Sequence, residues 1–146
     1  MISEFKGRYF FLSNFYDSPL IYDGMEFRNS ESAYQSAKTL DFNMRKSFQN
    51  MGAREAKRWG KNIPLRGDWE YVKDDIMLDV VRCKFTQNNQ LKQMLLSTGD
   101  QELIEGNHWG DTYWGMYEGH GQNKLGKILM QVRKEIRESK TRGGIL

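Results

Sequence analysis

The stretch His108-Trp109-Gly110-Asp111-Thr112-Tyr113-Trp114-Gly115 sets two indoles, a phenol, an imidazole and a carboxylate within eight residues, punctuated by glycines. Large rings around one acid suit a site that stacks a flat ligand and does polar chemistry at its edge. A tight turn whose tryptophans enter the core would show the same pattern. The segment by itself does not separate the two.

A second constellation is Glu31, Tyr34, Gln35 and Lys38, at offsets of three, four and seven. On a helix these share one face. An ordinary amphipathic helix would turn that face to solvent, and an i to i+7 pair makes no direct salt bridge by itself. Turned into a pocket, the same face offers a carboxylate and an amine. A carboxylate polarises water or stabilises developing positive charge. A desolvated lysine attacks a masked aldehyde, of which the anomeric carbon of a ribose is one.

Three weaker signals accompany these. Gly119-His-Gly-Gln-Asn-Lys-Leu-Gly126 places glycines before a helix start, where free N–H groups favour an anion. Its spacing is neither a dinucleotide fingerprint nor a P-loop, and Asn123 could equally be an ordinary helix cap. In Pro64-Leu-Arg-Gly-Asp-Trp-Glu70, Arg66 could hold a phosphate bidentately, and Trp69 could stack on a ring or anchor a helix. Lys84-Phe85 and Asn14-Phe15 each set a polar group beside a ring.

The elements that must position these groups read as follows. Residues 8–12 read as a strand. Leu20-Ile21-Tyr22 and Met25-Glu26-Phe27 flank Asp23-Gly24, a hairpin turn. Asn29 or Ser30 caps a helix over 31–39. Short helices follow over 44–50, started by Asp41 or Asn43, and over 53–59, ended by Gly60. Asp68 caps a longer helix with Trp69, Val72, Ile76, Val80 and Cys83 on its apolar stripe. Asn88 or Asn89 caps the next, with Leu91, Met94 and Leu95, closed by Gly99. Residues 101–105 form a candidate strand. Asn123 caps a last helix bearing Leu125, Ile128, Leu129, Val132 and Ile136. Pro19 and Pro64 fall in connections. The sum is a helix-rich α+β fold with a few short strands, one compact domain over 1–139 and a flexible tail over 140–146.

Composition narrows the function classes. The net charge of +3 tolerates phosphate-bearing ligands but lacks the dense basic stripe of a duplex-DNA binder. The single cysteine, Cys83, permits no intramolecular disulfide and reads as a small buried residue. Two histidines and one cysteine argue against a dedicated zinc site. No apolar run approaches membrane-spanning length, and the start lacks the pattern of a secretion signal. A cytoplasmic protein without metal or cofactor, and without a membrane partner, is expected.

An ordered set of segments resembles the NADAR (YbiA-like) family: Phe11-Leu-Ser-Asn-Phe15, Ser30-Glu-Ser-Ala-Tyr-Gln-Ser-Ala-Lys38, Ala53-Arg-Glu-Ala-Lys57 with Gly60, and Arg66-Gly-Asp-Trp69. It continues through Met77, Lys84-Phe85, Leu95-Leu-Ser-Thr-Gly-Asp100, Asn107-His-Trp-Gly-Asp111, Trp114-Gly115 and Gly121-Gln-Asn-Lys-Leu-Gly-Lys-Ile-Leu-Met130. The resemblance implies an N-glycosidase. One branch cleaves early phosphorylated pyrimidine intermediates of riboflavin synthesis to ribose 5-phosphate and a free base. Others are linked to ADP-ribose, including its removal from guanine in nucleic acid, so nucleic acid would be a partner only when it carries the modified base. A non-catalytic ADP-ribose or nucleotide module is the rival reading.

The resemblance further implies Glu31, Lys38 and Asp111 as catalytic residues. It implies Trp69 as a stacking ring and Asn14, Phe15, Tyr34, Lys84 and Asn123 as pocket residues. In the resulting expectation a flat base stacks on Trp69 or Trp114, with Trp109 the structural indole, and the ribose meets Glu31 and Asp111. One acid activates water, or Lys38 forms an imine with the anomeric carbon. Arg66 and the loop before Asn123 take the phosphate.

Overall fold

The computed structural model describes residues 1–145, with side chains to Lys140. The chain organises into two units, residues 14–87 and residues 1–13 with 88 onward. Helix accounts for 51% of the structure and the strands are few and short, as the sequence predicts.

The unit formed by residues 14–87 begins with an antiparallel hairpin, β1 (Asp17–Tyr22) and β2 (Met25–Asn29). Its turn is Asp23-Gly24, with φ of 52° and 76°. Two consecutive positive φ values give the turn whose twist matches that of the strands it joins. Burial alternates along both strands, with Leu20, Tyr22, Met25 and Phe27 inward. Pro19 lies within β1 rather than in a connection. It sits where the register slips between Asp17 and Leu20, an irregularity that accommodates a residue lacking an N–H.

β2 passes into helix α1 (Ser30–Ser36) with no residue between them. Asn29 makes this possible. It is fully buried, its Oδ1 accepts from Ser32 N at 2.8 Å, and its Nδ2 donates to Met51 O at 3.3 Å. The cap is therefore Asn29, and the helix stops three residues short of the predicted Thr39. Helices α2 (Phe42–Ser47), α3 (Ala53–Gly60) and α4 (Trp69–Gln87) follow. Asp41 caps α2 through Met44 N. Gly60 does not end α3 by turning left-handed, as a stop signal would. It is the last helical residue, and its role is close approach to Gln35, described below. Asp68 starts α4 with its backbone carbonyl, which accepts from Tyr71 N and Val72 N, while its carboxylate pairs with Arg66. The buried face of α4 carries Trp69, Ile76, Met77, Val80, Val81, Lys84 and Phe85. Cys83 is half-buried, and burial pushes its thiol pKa up.

In the other unit, Gly7–Leu12 is a 3₁₀ turn and not the predicted strand. Phe11 and Leu12 are adjacent and both buried, which strand alternation forbids, and Ser13 N donates to Phe10 O instead of to a partner strand. Helix α5 (Asn89–Ser97) is capped by Asn88 through Leu91 N and closed by Gly99 at φ 65°, as expected. The predicted strand over 101–105 reduces to one parallel bridge between Ile2 and Leu103. Short strands β3 (Gly106–Asn107) and β4 (Met116–Tyr117) pair in parallel. Helix α6 (Lys124–Ile145) buries Leu125, Leu129, Val132 and Ile136. It is joined to α5 by Arg133, which donates to Thr98 Oγ1 at 2.8 Å, and by Arg137, which reaches Gly99 O and Asp100. The expected tail over 140–146 lies outside the described side chains from Thr141 onward.

Candidate functional site

Residues 14–87 hold most of the residues singled out above. The face predicted on α1 is turned inward, not to solvent: Glu31, Tyr34 and Gln35 are each no more than 8% exposed. Asn14 fixes the start of that helix. Its backbone carbonyl accepts from Glu31 N at 3.1 Å, its Oδ1 accepts from Ser30 Oγ at 2.8 Å, and its Nδ2 donates to Met77 Sδ at 3.3 Å. Asn14 thus joins α1 to α4 and sets the depth at which Glu31 sits.

Lys38 lies past the helix, in the turn that closes it, with its backbone N–H donating to Gln35 O at 3.2 Å. Its Nζ donates to Gly60 O at 3.2 Å. Burial lowers the Lys38 pKa, Glu31 pulls it back up, and Lys61 and Lys57 lower it further. The acid and the amine therefore influence each other electrostatically, although the helix does not carry both. Gln35 Nε2 donates to Glu31 Oε1 at 3.4 Å.

The tyrosine of this face meets the tryptophan expected to stack. Tyr34 and Trp69 have ring centroids 5.3 Å apart at 56°, and both rings are buried. Arg66 is beside Lys38 in the chain path, since Arg66 N donates to Lys38 O at 2.7 Å. Its guanidinium is held by Asp68 through two bonds of 2.6 and 3.1 Å, which raises its pKa and lowers that of Asp68. Lys57 lies 5.7 Å from the centroid of Phe15.

Lys84 is the most perturbed of the candidates. It is 1% exposed, and desolvation pushes its pKa down to about 7. Its Nζ lies 5.0 Å from the Phe85 centroid and 5.7 Å from that of Tyr16. An amine held near neutrality exchanges protons, or serves as a nucleophile, at ordinary pH.

Asp111, Trp114 and Asn123 belong to the other unit. Asp111 Oδ1 accepts from both Tyr113 N and Trp114 N, at 3.0 and 2.9 Å, so the carboxylate organises its own turn. Asn107 holds the same turn from below, accepting from Asp111 N and donating to Asp111 O. Trp114 is half-buried and packs edge-on to Tyr113 at 4.9 Å. Trp109, expected to be the structural indole, is 59% exposed and anchors no core.

Two expectations fail here for the same reason. The loop before α6 was to offer free N–H groups to an anion. Instead Gln122, Asn123, Lys124 and Leu125 donate to the carbonyls of Thr112, Gly115, Tyr113 and Trp114. Nor is Asn123 a side-chain cap. At φ 49° its amide turns to the preceding loop, accepting from Glu105 N at 2.9 Å and donating to Leu103 O at 3.0 Å. Asn123 thus ties the start of α6 to the 103–105 loop.

Gln35, Gly60, Ser30, Met77 and Tyr16 surround the candidates and were not chosen as site residues from the sequence. Gln35 stood on the right face and its offset of four from Glu31 was a usable signal. The part played by Gly60 depends on a contact between helices and leaves no local trace. Among the described residues, no group of three or more His, Cys, Asp and Glu could hold a metal ion, and no helix is long and apolar enough to cross a membrane.

The chain is 37% identical over 128 residues to the N-glycosidase YbiA of Shigella flexneri, covering 85% of this chain and 79% of that one. It is 39% identical over 132 residues to the riboflavin biosynthesis protein VVA0006 of Vibrio vulnificus, covering 88% of this chain but only 36% of that longer protein. The NMR structure of Escherichia coli YbiA superimposes with a TM-score of 0.85 at 34% identity, over 97% of this chain and 88% of that one. The NADAR domain model matches residues 3–137, and the chain belongs to the NADAR domain family.

Proposed function

We propose that the chain hydrolyses the C–N glycosidic bond of a phosphorylated riboside of the kind met as early pyrimidine intermediates in riboflavin synthesis, releasing ribose 5-phosphate and the free base. Relatives in its family that carry the name N-glycosidase make it a hydrolase of N-glycosyl bonds. The choice of substrate is supported by relatives named for riboflavin biosynthesis, the Vibrio protein and a chloroplastic maize protein 44% identical over 89 residues.

The observation that carries the reading is the inward carboxylate of Glu31 beside the partly buried amine of Lys38. As the C–N bond lengthens, its electron pair leaves with the base and positive charge builds on the anomeric carbon. A carboxylate held out of bulk water stabilises that charge more than water does. The oxygen of water then bonds to the anomeric carbon, and its proton goes to the departing nitrogen. Trp69 and Tyr34 offer an aromatic wall for the base. Arg66 is the candidate for phosphate, which competes with Asp68 for the guanidinium.

Lys38 and Lys84 are the two amines a covalent route could use, and borohydride trapping during turnover tests them. Loss of the trapped adduct in one variant, Lys38→Arg or Lys84→Arg, assigns the amine. No adduct from active enzyme assigns the reaction to direct water attack.

The function itself is tested by a product assay. The protein is incubated separately with the phosphorylated pyrimidine intermediates, ADP-ribose, NAD and ADP-ribosylated guanine, and free base and reducing sugar are measured. Release from the pyrimidine intermediates is expected. Release from ADP-ribosylated guanine alone would move the protein to ADP-ribose removal, and binding without release from any of them would make it a binding module.

A further inference from the structure

We infer that the last turn of α3 is a template for the Glu31–Lys38 pair, with Gly60 and Gln35 as positioning residues. Three contacts within residues 14–87 point to this, and the inference rests on the catalytic reading of Glu31 only for its consequence in turnover.

The first contact is the seating of Gln35. A Cβ built on Gly60 would lie 1.8 Å from Gln35 Oε1 and 2.6 Å from its Cδ. The amide of Gln35 therefore occupies the volume that any other residue at position 60 would fill. Gly60 is helical with no positive φ, so its backbone does not require glycine. What glycine provides is the space that the Gln35 amide fills.

The second contact follows from the first. With Oε1 over the Gly60 backbone, Nε2 is directed at Glu31, donating to Oε1 at 3.4 Å. Gln35 Oε1 is buried with no conventional hydrogen-bond donor. A buried amide oxygen without a donor is costly. Its placement is understandable if the other end of the amide has a task, which is to hold the carboxylate. The third contact is on the same residue. Gly60 O accepts from Lys38 Nζ at 3.2 Å, at the C-terminal end of a helix where cations are favoured. One residue thus sets the acid through its missing side chain and the amine through its carbonyl.

The test separates position from catalysis. Gly60→Ala leaves the carbonyl and its bond to Lys38 but displaces Gln35. Gln35→Ala removes the amide and leaves Gly60 untouched. Lys57 and Lys61, the charged groups that α3 and its end bring to bear on Lys38, remain in both. The side-chain carboxyl signal of Glu31 is followed by carbon NMR in each full-length variant through a pH titration. The midpoint is expected to move up by the same amount in Gly60→Ala and Gln35→Ala, with no further change in the double variant. On the phosphorylated pyrimidine riboside, kcat is expected to fall about tenfold in each with KM little changed. An unmoved titration in Gln35→Ala, or additive effects in the double variant, would overturn the template. If Gly60→Ala does not fold, Gln35→Ala alone still decides through the same titration. Near-normal turnover in Glu31→Gln would instead overturn the catalytic reading, and it would leave the titration result standing.

Discussion

Replacing Lys84 with methionine should change the stability of the protein by an amount that depends on pH. The Lys84 side chain is 1% exposed, and burial lowers its pKa from 10.5 to about 7. Each unit is worth about 1.4 kcal/mol, so the charged form destabilises the folded state by on the order of 5 kcal/mol at most. Lys84→Met fills similar volume without charge, so its stability relative to wild type should fall by roughly 3–5 kcal/mol between pH 7 and pH 10.5. The sign with pH follows from proton counting. Between the folded pKa near 7 and the unfolded value of 10.5 the unfolded chain binds more protons, so wild-type stability rises with pH relative to the variant. The gap between the variant and wild type is constant below pH 7 and shifts in favour of wild type up to pH 10.5. Urea denaturation of both proteins at pH 6, 8 and 10 measures it, and taking the difference cancels other groups that titrate. A gap independent of pH would refute the reasoning. A variant that is more stable but inactive would mean that the amine is kept for function at a cost in stability.

Other consequences are as direct. Asn123→Ala removes both ties to the 103–105 loop and leaves a non-glycine residue at positive φ, so it should lower stability by about 2–4 kcal/mol in the same denaturation assay. A loss under 0.5 kcal/mol would contradict the role given to that amide. Asp111→Asn keeps Oδ1 as acceptor for Tyr113 N and Trp114 N and should melt close to wild type, whereas Asp111→Ala should lose about 1–2 kcal/mol. Turnover in the asparagine variant then reports on the charge alone, and a normal rate removes Asp111 from the catalytic set.

Helices and hairpin were legible in the sequence because their signals are local. Asp23-Gly24, Asn29, Asn88 and the α6 stripe each act within a few residues. The misreadings share a cause. Residues 8–12 have strand-like composition but no neighbouring strand, and strand pairing is not local. Asn123 and the glycines around it have the composition of a cap and an anion loop. Carbonyls from 112–115, and a loop some twenty residues earlier, claim those donors first. Within the candidate site, Glu31, Tyr34 and Lys38 could be grouped from their spacing. That the face turns inward, that Lys84 is wholly buried and that Gly60 seats Gln35 depend on packing between helices, which no spacing encodes.

The central claim is that Glu31 stabilises charge on a ribose as its bond to a base breaks. The most direct measurement compares wild type with Glu31→Gln, both confirmed as folded by thermal melting, in single-turnover release of base and ribose 5-phosphate from the phosphorylated pyrimidine riboside. A loss of about a hundredfold or more in the chemical step, with substrate binding retained, is the predicted result. A rate within a few-fold of wild type would contradict it.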